Sequence, residues 1–279
     1  MTHATRRELG DYEIHVLTDG EIAFPPDYFP NATETRIAEI LKVAGEEGIR
    51  TNFNAVTIRR GSARPVLIDT GPRDLFGPAC GNLHAGLKEA GLAPGDVGTL
   101  FLTHLHPDHA AGSITAEGAA VFPEAELVLT EAEHRFWSDP AGVSGADQTL
   151  KDWLALAGQV LAAYGDRLRL IGPGDEIAPG LSVLDLPGHT PGHAGWRLSS
   201  GSEQLVHVGD IIHAPVLQAA DPDISVVFDM DVGTARATRK RLLAELAADG
   251  ILFTGGHLLA PAFVRARPGG AGYVLEAAD

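Results

Sequence analysis

The chain of 279 residues is 44% hydrophobic, enough to bury one large core, and it reads as a single domain spanning residues 1–279. Its 21 Lys and Arg face 37 Asp and Glu, and the formal charge of −16 repels phosphate backbones and anionic lipid, which argues against a nucleic-acid or membrane partner. The single cysteine, Cys80, allows neither an internal disulfide nor a cysteine-based zinc site, so any metal must be held by His and carboxylate.

The first segment, MTHATRRELGDYEIH, lacks the apolar core of a signal peptide, and no run of about 18 apolar residues follows, so a soluble, cytoplasmic protein is expected. Tyr12, Ile14 and Val16 alternate with polar residues before Asp19-Gly20, which predicts a β-hairpin turning there and returning through Ile22 and Phe24. Ile37, Ile40, Leu41 and Ala44 follow helical spacing within Thr33–Glu47, with Gly48 as the expected stop. Val56–Ile58 and Val66–Ile68 predict two strands around a Gly-Ser turn, with Asp69 at a strand end. A helix over Leu83–Ala90 and a buried strand over Val97–Leu102 come next, then a strand over Ala125–Leu129. Leu150, Trp153, Ala157, Leu161 and Tyr164 share one helical face. Strands are expected at Leu181–Leu186, Trp196–Leu198, Leu205–Val208 and Ile251–Thr254, with a long helix over Val232–Ala248. Strand blocks alternating with helices indicate sheets covered by helices.

Chemistry concentrates in "LTHLHPDHAAG", which follows the Val97–Leu102 strand directly. In extended chain His104 and His106 share a side, while Asp108 and His109 lie past the bend at Pro107 and can reach a second point. Zn²⁺-like ions take imidazole and carboxylate donors and need three or four each, so the loop cannot close two sites alone. His189 in "LDLPGHTPGHAG", Asp210 in "LVHVGDIIH" and His257 in "LFTGGH" each follow an apolar strand and a glycine, and can complete the set.

The motif H-x-H-x-D-H at His104, His106, Asp108 and His109, followed in order by PGHTPGH, GD and GGH, resembles the metallo-β-lactamase superfamily. The resemblance implies an α/β fold, a four-layered αβ/βα sandwich with the site along one edge between two sheets. It puts His104, His106 and His189 on one divalent ion, Asp108, His109 and His257 on a second, and Asp210 as the bridging carboxylate of both. Two ions per chain are implied, zinc first, with Mn, Co or Fe as alternatives, and a bridging hydroxide as nucleophile. Asp69 resembles the Asp that orients a ligand from behind, and reads equally as a turn residue.

The segments "GDYEIHVLTDGEIAFP", "GDIIHAPVLQ" and "DMDVGTARATRKRLLAELAADG" are similar to the methyl-parathion-hydrolase-like and acyl-homoserine-lactonase-like branch. The expected activity is opening of lactones or cleavage of related esters. Phosphotriester hydrolysis and a mononuclear iron redox or dioxygenase member are the alternatives. Asp108 or Asp210 would accept or relay the proton. His213, three residues after Asp210 where related lactonases carry a tyrosine, either faces the substrate or packs under the loop. Phe136, Trp137 and Trp153 are the first candidates for an apolar substrate wall, and Phe24, Phe29 and Phe53 weaker ones. His193 is expected to support its loop and His207 to be structural. Homodimers are common among hydrolases of this kind.

Overall fold

Alternation of apolar and polar residues resolves into two seven-stranded sheets among the described residues, each built from one half of the chain in sequence order. The structure, a computed structural model, describes residues 2–139 and 147–278. The first sheet comprises β1 (Ala4–Leu9), β2 (Tyr12–Phe24), β3 (Ile49–Arg60), β4 (Val66–Ile68), β5 (Thr99–Phe101), β6 (Glu126–Thr130) and β7 (Leu168–Ile171). The second comprises β8 (Glu176–Ala178), β9 (Leu181–Asp185), β10 (Ala194–Ser200), β11 (Glu203–His207), β12 (Leu252–Thr254), β13 (Val264–Gly269) and β14 (Gly272–Ala277). Strands β4 to β7 are parallel neighbours, as are β11 and β12, and the other pairings are antiparallel.

The helices are α1 (Glu34–Ala44), α2 (Leu83–Glu89), α3 (Pro107–Ala110), α4 (Glu131–Trp137), α5 (Gln148–Tyr164), α6 (Pro215–Ala220) and α7 (Val232–Ala248). Period-two side-chain alternation sorts the first sheet's residues into two cores. Val66, Ile68, Phe101 and Val128 face the second sheet and join Trp196, Leu198 and Phe253, a cluster that continues to Leu242 and Leu246 of α7. Leu67, Leu100, Leu127 and Leu129 point the other way, onto Leu87 of α2, Trp137 of α4 and Ala157 and Val160 of α5. The order helices, sheet, sheet, helix is the four-layered αβ/βα sandwich. Strands covered on both faces carry the continuous apolar runs seen in the sequence. Among the described residues, no helix is long and apolar enough to cross a membrane.

Two local expectations are corrected. Asp19-Gly20 does not turn the chain: β2 continues through it, with a register shift between Thr18 and Gly20. The fully buried Asp19 carboxylate instead accepts the backbone N–H groups of Gly81 and Leu83, and a Cβ on Gly20 would meet the Ala79 carbonyl oxygen at 2.3 Å. The tight turn lies earlier, between Leu9 and Tyr12, with Gly10 at φ 52°. Helix α1 ends at Ala44 rather than near Gly48, because Gly45 takes the left-handed conformation at φ 73° and donates to the Leu41 and Lys42 carbonyls.

Candidate metal centre

Asp69, His104, Asp210 and His257 all lie within three residues beyond the C-terminal ends of β4, β5, β11 and β12, the central strands of the two sheets. His189 lies in the loop after β9, and α3 carries Asp108 and His109 around the bend at Pro107. Donor atoms of His104, His106 and His189 lie within 4.8 Å of one another, as do those of Asp108, His109, Asp210 and His257. We call these the first and second clusters. All seven residues are buried except Asp108, whose side chain is 17% exposed and marks the opening.

Asp210 stands between the clusters. Its Oδ2 is 2.9 Å from His257 Nε2, 3.0 Å from His109 Nε2, 3.5 Å from His189 Nε2 and 3.7 Å from His104 Nε2. Asp108 Oδ2 is 3.4 Å from both His109 Nε2 and His257 Nε2. Burial disfavours charge on Asp210, yet His109, His257 and His213 hold its carboxyl well below the usual carboxylate range. Burial also lowers the basicity of His104 and His106, whereas Asp210, Asp108 and Asp69 overcome burial and hold His109 protonated well above an ordinary imidazole.

The orientation of the rings fits a metal. Nδ1 of His109 meets Asp69 Oδ2 at 2.9 Å, Nδ1 of His189 meets Asp229 Oδ1 at 3.1 Å, and Nδ1 of His257 meets the Asn52 carbonyl at 2.7 Å. Nδ1 of His104 faces Thr103 Oγ1 at 3.1 Å, whose own proton goes to Asp69 Oδ2 at 2.9 Å. Each acceptor holds an N–H at Nδ1 and turns Nε2 toward the centre, where a cation would take the place of the second proton that the carboxylates draw onto His109, the usual back-side support of imidazole ligands. His104 Nε2, His109 Nε2 and Asp210 Oδ1 are buried with no hydrogen-bond partner. His106 Nδ1 comes within 2.8 Å of His189 Nε2. Buried polar atoms left without a partner, as on His104 and Asp210, are costly unless something positive sits among them.

Asp69 itself adopts φ 57°, and besides His109 it accepts the Thr103 amide at 2.8 Å, so it holds the start of the motif loop from below. His193 uses both ring nitrogens in support: Nδ1 donates to the Leu186 carbonyl at 2.6 Å and Nε2 accepts the Asp210 amide at 2.8 Å. Burial then pushes His193 down to about 3. His207 lies within β11, stacked on Trp196 at 5.3 Å.

His213 faces the centre rather than the underside of its loop. Its Nε2 is 3.2 Å from Asp210 Oδ2, its ring stacks on His257 at 4.7 Å, and its Nδ1 is buried without a partner. Burial pushes it down to about 4, so it is neutral at pH 7.

Of the aromatic candidates, Trp153 packs on His106 with ring centroids 4.6 Å apart. Trp137 lies deeper, 2% exposed, edge-on to His106 at 5.7 Å, and donates its indole N–H to Glu133. Phe136 packs on Trp137 and the helix-side core, with no ring contact to the histidines among the described residues. Phe53 meets His257 at 5.6 Å and Phe76 at 5.3 Å. Phe24 and Phe29 belong to a third core cluster with α1 and α6, although Phe24 also touches Phe228. Sequence reasoning missed Phe228, which joins His213, Trp153 and Tyr28 into one wall. It also missed Asp229 and the wholly buried Arg239 behind it. A cavity of about 570 Å³ lined by Thr70, Arg73, Cys80 and Gly112 includes none of the seven clustered residues.

Comparison with known proteins agrees with this geometry. The family model described as "Metallo-beta-lactamase superfamily" matches residues 51–257. A probable metallo-hydrolase of Mycobacterium tuberculosis is 30% identical over 140 residues, 46% of this chain and 41% of the relative. An N-acyl homoserine lactonase of Bacillus cereus is 26% identical over 120 residues, 43% of this chain and 40% of the relative. These matches thus span less than half the length of the curated relatives. Among solved structures, the hydrolase AbOPH superposes with a TM-score of 0.91 at 30% identity, covering 99% of this chain and 97% of that one. The dizinc quorum-quenching lactonase AidC, solved with the product N-hexanoyl-L-homoserine, gives 0.92 at 26% identity, covering 100% and 98%.

Proposed function

The chain belongs to the metallo-beta-lactamase superfamily, and from that premise we propose that it is a metallohydrolase that opens lactones or cleaves related esters at a two-ion centre. The observation that carries the reading is the place of Asp210, whose Oδ2 lies within 3.7 Å of a nitrogen from His104 and His189 of the first cluster and from His109 and His257 of the second. His104, His106 and His189 would hold one ion, Asp108, His109 and His257 the other, and Asp210 would serve both. Bound zinc or a similar ion supplies Lewis acidity, bringing the pKa of water toward neutrality and polarising a carbonyl.

The residues do the rest. Asp108, at the opening, is the carboxylate placed to accept a proton and return it to the leaving alkoxide. His213, neutral and with its Nε2 turned to Asp210 Oδ2, keeps a free Nδ1 lone pair placed to accept an N–H or O–H of the substrate. Trp153, Phe228 and Tyr28 on one side and Phe53 with Phe76 on the other give apolar walls suited to an acyl chain. An acidic, uncharged-substrate enzyme of this kind has no need of a basic groove. The similarity to AidC over the whole chain favours lactones over other esters.

The test is metal counting followed by kinetics. Two equivalents of Zn, Mn or Co with highest kcat/KM on acyl-homoserine or γ-lactones is the expected result. Higher kcat/KM on phosphotriesters would move the assignment to that class, and a single iron with redox activity would overturn it. Asp210→Ala and His106→Ala are expected to lose metal and turnover together, and full activity in either would refute the two-ion assignment.

A further inference from the structure

Glu133 of α4 is a wholly buried carboxylate that the proposed reaction does not use. Its Oε1 accepts the Leu105 amide at 3.0 Å and the Trp137 indole N–H at 2.5 Å. Its Oε2 accepts the Thr190 hydroxyl at 2.5 Å and the Gly192 amide at 3.1 Å. Leu105 lies between His104 and His106, and Thr190 follows His189. One side chain therefore ties the loop carrying two members of the first cluster to the loop carrying the third. Those two loops belong to different halves of the chain, 83 residues apart at the His106 and His189 contact. A second tie runs beside it, from Thr130 Oγ1 to the Gly192 carbonyl at 2.8 Å. The approach is as close as backbone allows, since a Cβ on Gly192 would lie 2.0 Å from the Glu133 amide nitrogen. None of these bonds reaches Asp108, His109 or His257.

We propose that Glu133 is a positioning residue for the His104, His106 and His189 site alone, setting the affinity of that site for a divalent ion while leaving the second site untouched. The proposal rests on the two-ion reading above. Its chemical basis is that a carboxylate offers acceptors on both oxygens, and four N–H and O–H donors converge on it. An amide in its place would turn an NH₂ toward two of those donors and free one of the two loops. Outer partners of metal ligands typically change metal affinity by about 10- to 100-fold when altered.

The experiment titrates Zn²⁺ into metal-free wild-type protein, Glu133→Gln and Thr190→Val against a chromophoric chelator, with metal counted after dialysis and folding checked by circular dichroism. Wild type is expected to hold two ions. Glu133→Gln and, more mildly, Thr190→Val are expected to weaken one by about tenfold or more. The ion that stays is then expected to be lost on adding His257→Ala and to be indifferent to adding His189→Ala. Two wild-type affinities in both variants, or equal weakening of both ions, would overturn the proposal. If Glu133→Gln does not fold, Thr190→Val decides alone. If wild type holds a single ion, the two-ion reading fails, and Glu133 is judged on that ion: its role stands if Glu133→Gln weakens it as His106→Ala does, and falls if only His106→Ala does.

Discussion

Arg239→Met should be among the most damaging single changes outside the centre. Arg239 sits on α7 with no exposure, and Asp229, its ion-pair partner at 3.3 Å, has a side chain equally buried. The guanidinium also donates to the carbonyls of Ile211, Pro222 at 3.3 Å and Ile224 at 2.9 Å, so it gathers the whole 211–229 segment that carries His213 and Phe228. Methionine fills the space but takes the guanidinium donor from the Ile211 and Pro222 carbonyls, leaves the Ile224 carbonyl to the Gln218 amide at 3.1 Å, and leaves a buried carboxylate without its cation. Breaking a buried pair from one side costs about 3–5 kcal/mol. The His189 N–H and the Val226 amide still face Asp229, which favours the lower half of that range. With roughly 2–4 °C per kcal/mol for chains of about this size, the melting temperature should fall by roughly 6–16 °C. Adding Asp229→Asn removes the orphaned charge and should return about 1–2 kcal/mol, although asparagine alone in the wild-type background destabilises. Urea unfolding of the four proteins measures the cycle. A loss under 1 kcal/mol in Arg239→Met, or a double variant less stable than Arg239→Met, would refute the argument.

Three further outcomes follow from other parts of the molecule. Burial holds His193 and His207 down to about 3, below the unfolded value near 6.5, so each contributes stability that is complete above pH 6.5 and lost as pH falls toward 3. His207→Gln should flatten the pH dependence of the unfolding free energy measured in urea between pH 6 and 4 by up to about 1.4 kcal/mol per pH unit; an unchanged slope would contradict the neutral, buried ring. Cys80, pushed up to about 11 by burial, Asp19 and Asp108, should alkylate with iodoacetamide at pH 7.5 about a hundredfold more slowly in the native than the unfolded protein. Gly192→Ala should fail to give stable protein or lose more than about 3 kcal/mol against the Glu133 backbone, whereas Gly158→Ala, open on the face of α5, should gain about 0.5–1 kcal/mol in the same melt.

How far the sequence reaches can be followed residue by residue. Both helices at the ends of long periodic runs were legible, and α7 spans Val232–Ala248 as its spacing predicts. The central strands were legible because burial on both faces writes continuous apolar runs. The clustering of the seven His and Asp residues was legible because their chemistry is dense in one loop and recurs at strand ends, where glycines permit close approach. Asp19-Gly20 misled because a strong local turn signal was overridden by a tertiary contact: the carboxylate is needed under Gly81 and Leu83. Glu133, Asp229 and Arg239 were silent for the same reason in reverse. Each is one charged residue in an ordinary helix or loop, and only the packing of elements far apart in sequence gives it a role. Phe228 likewise carries no pattern, yet it meets His213, Trp153, Tyr28 and Phe24 once the 211–229 segment folds back.

That division has a consequence for how the centre is built. The first half of the chain supplies His104, His106, Asp108 and His109, and the second supplies His189, Asp210 and His257, so neither half holds either cluster complete. The halves are joined near the centre by backbone and side-chain bonds, Ala194 to Thr103 at 3.0 Å and Asn54 to Gly256 at 2.8 Å, with the Asn54 amide reaching Gly255 and Leu258. Behind them, Asp69 steadies the motif loop from the first sheet, Asp229, held by Arg239 of α7, steadies His189, and Glu133 crosses between the two. Unpartnered lone pairs on His104 and Asp210 oppose the docking of the halves in the absence of a cation, and the supporting bonds must outweigh that cost. A cation held by residues of both halves removes the cost and adds its binding free energy to the docked state. The supports therefore matter where they cross between the halves, as Glu133 does from α4 to the Thr190–Gly192 loop.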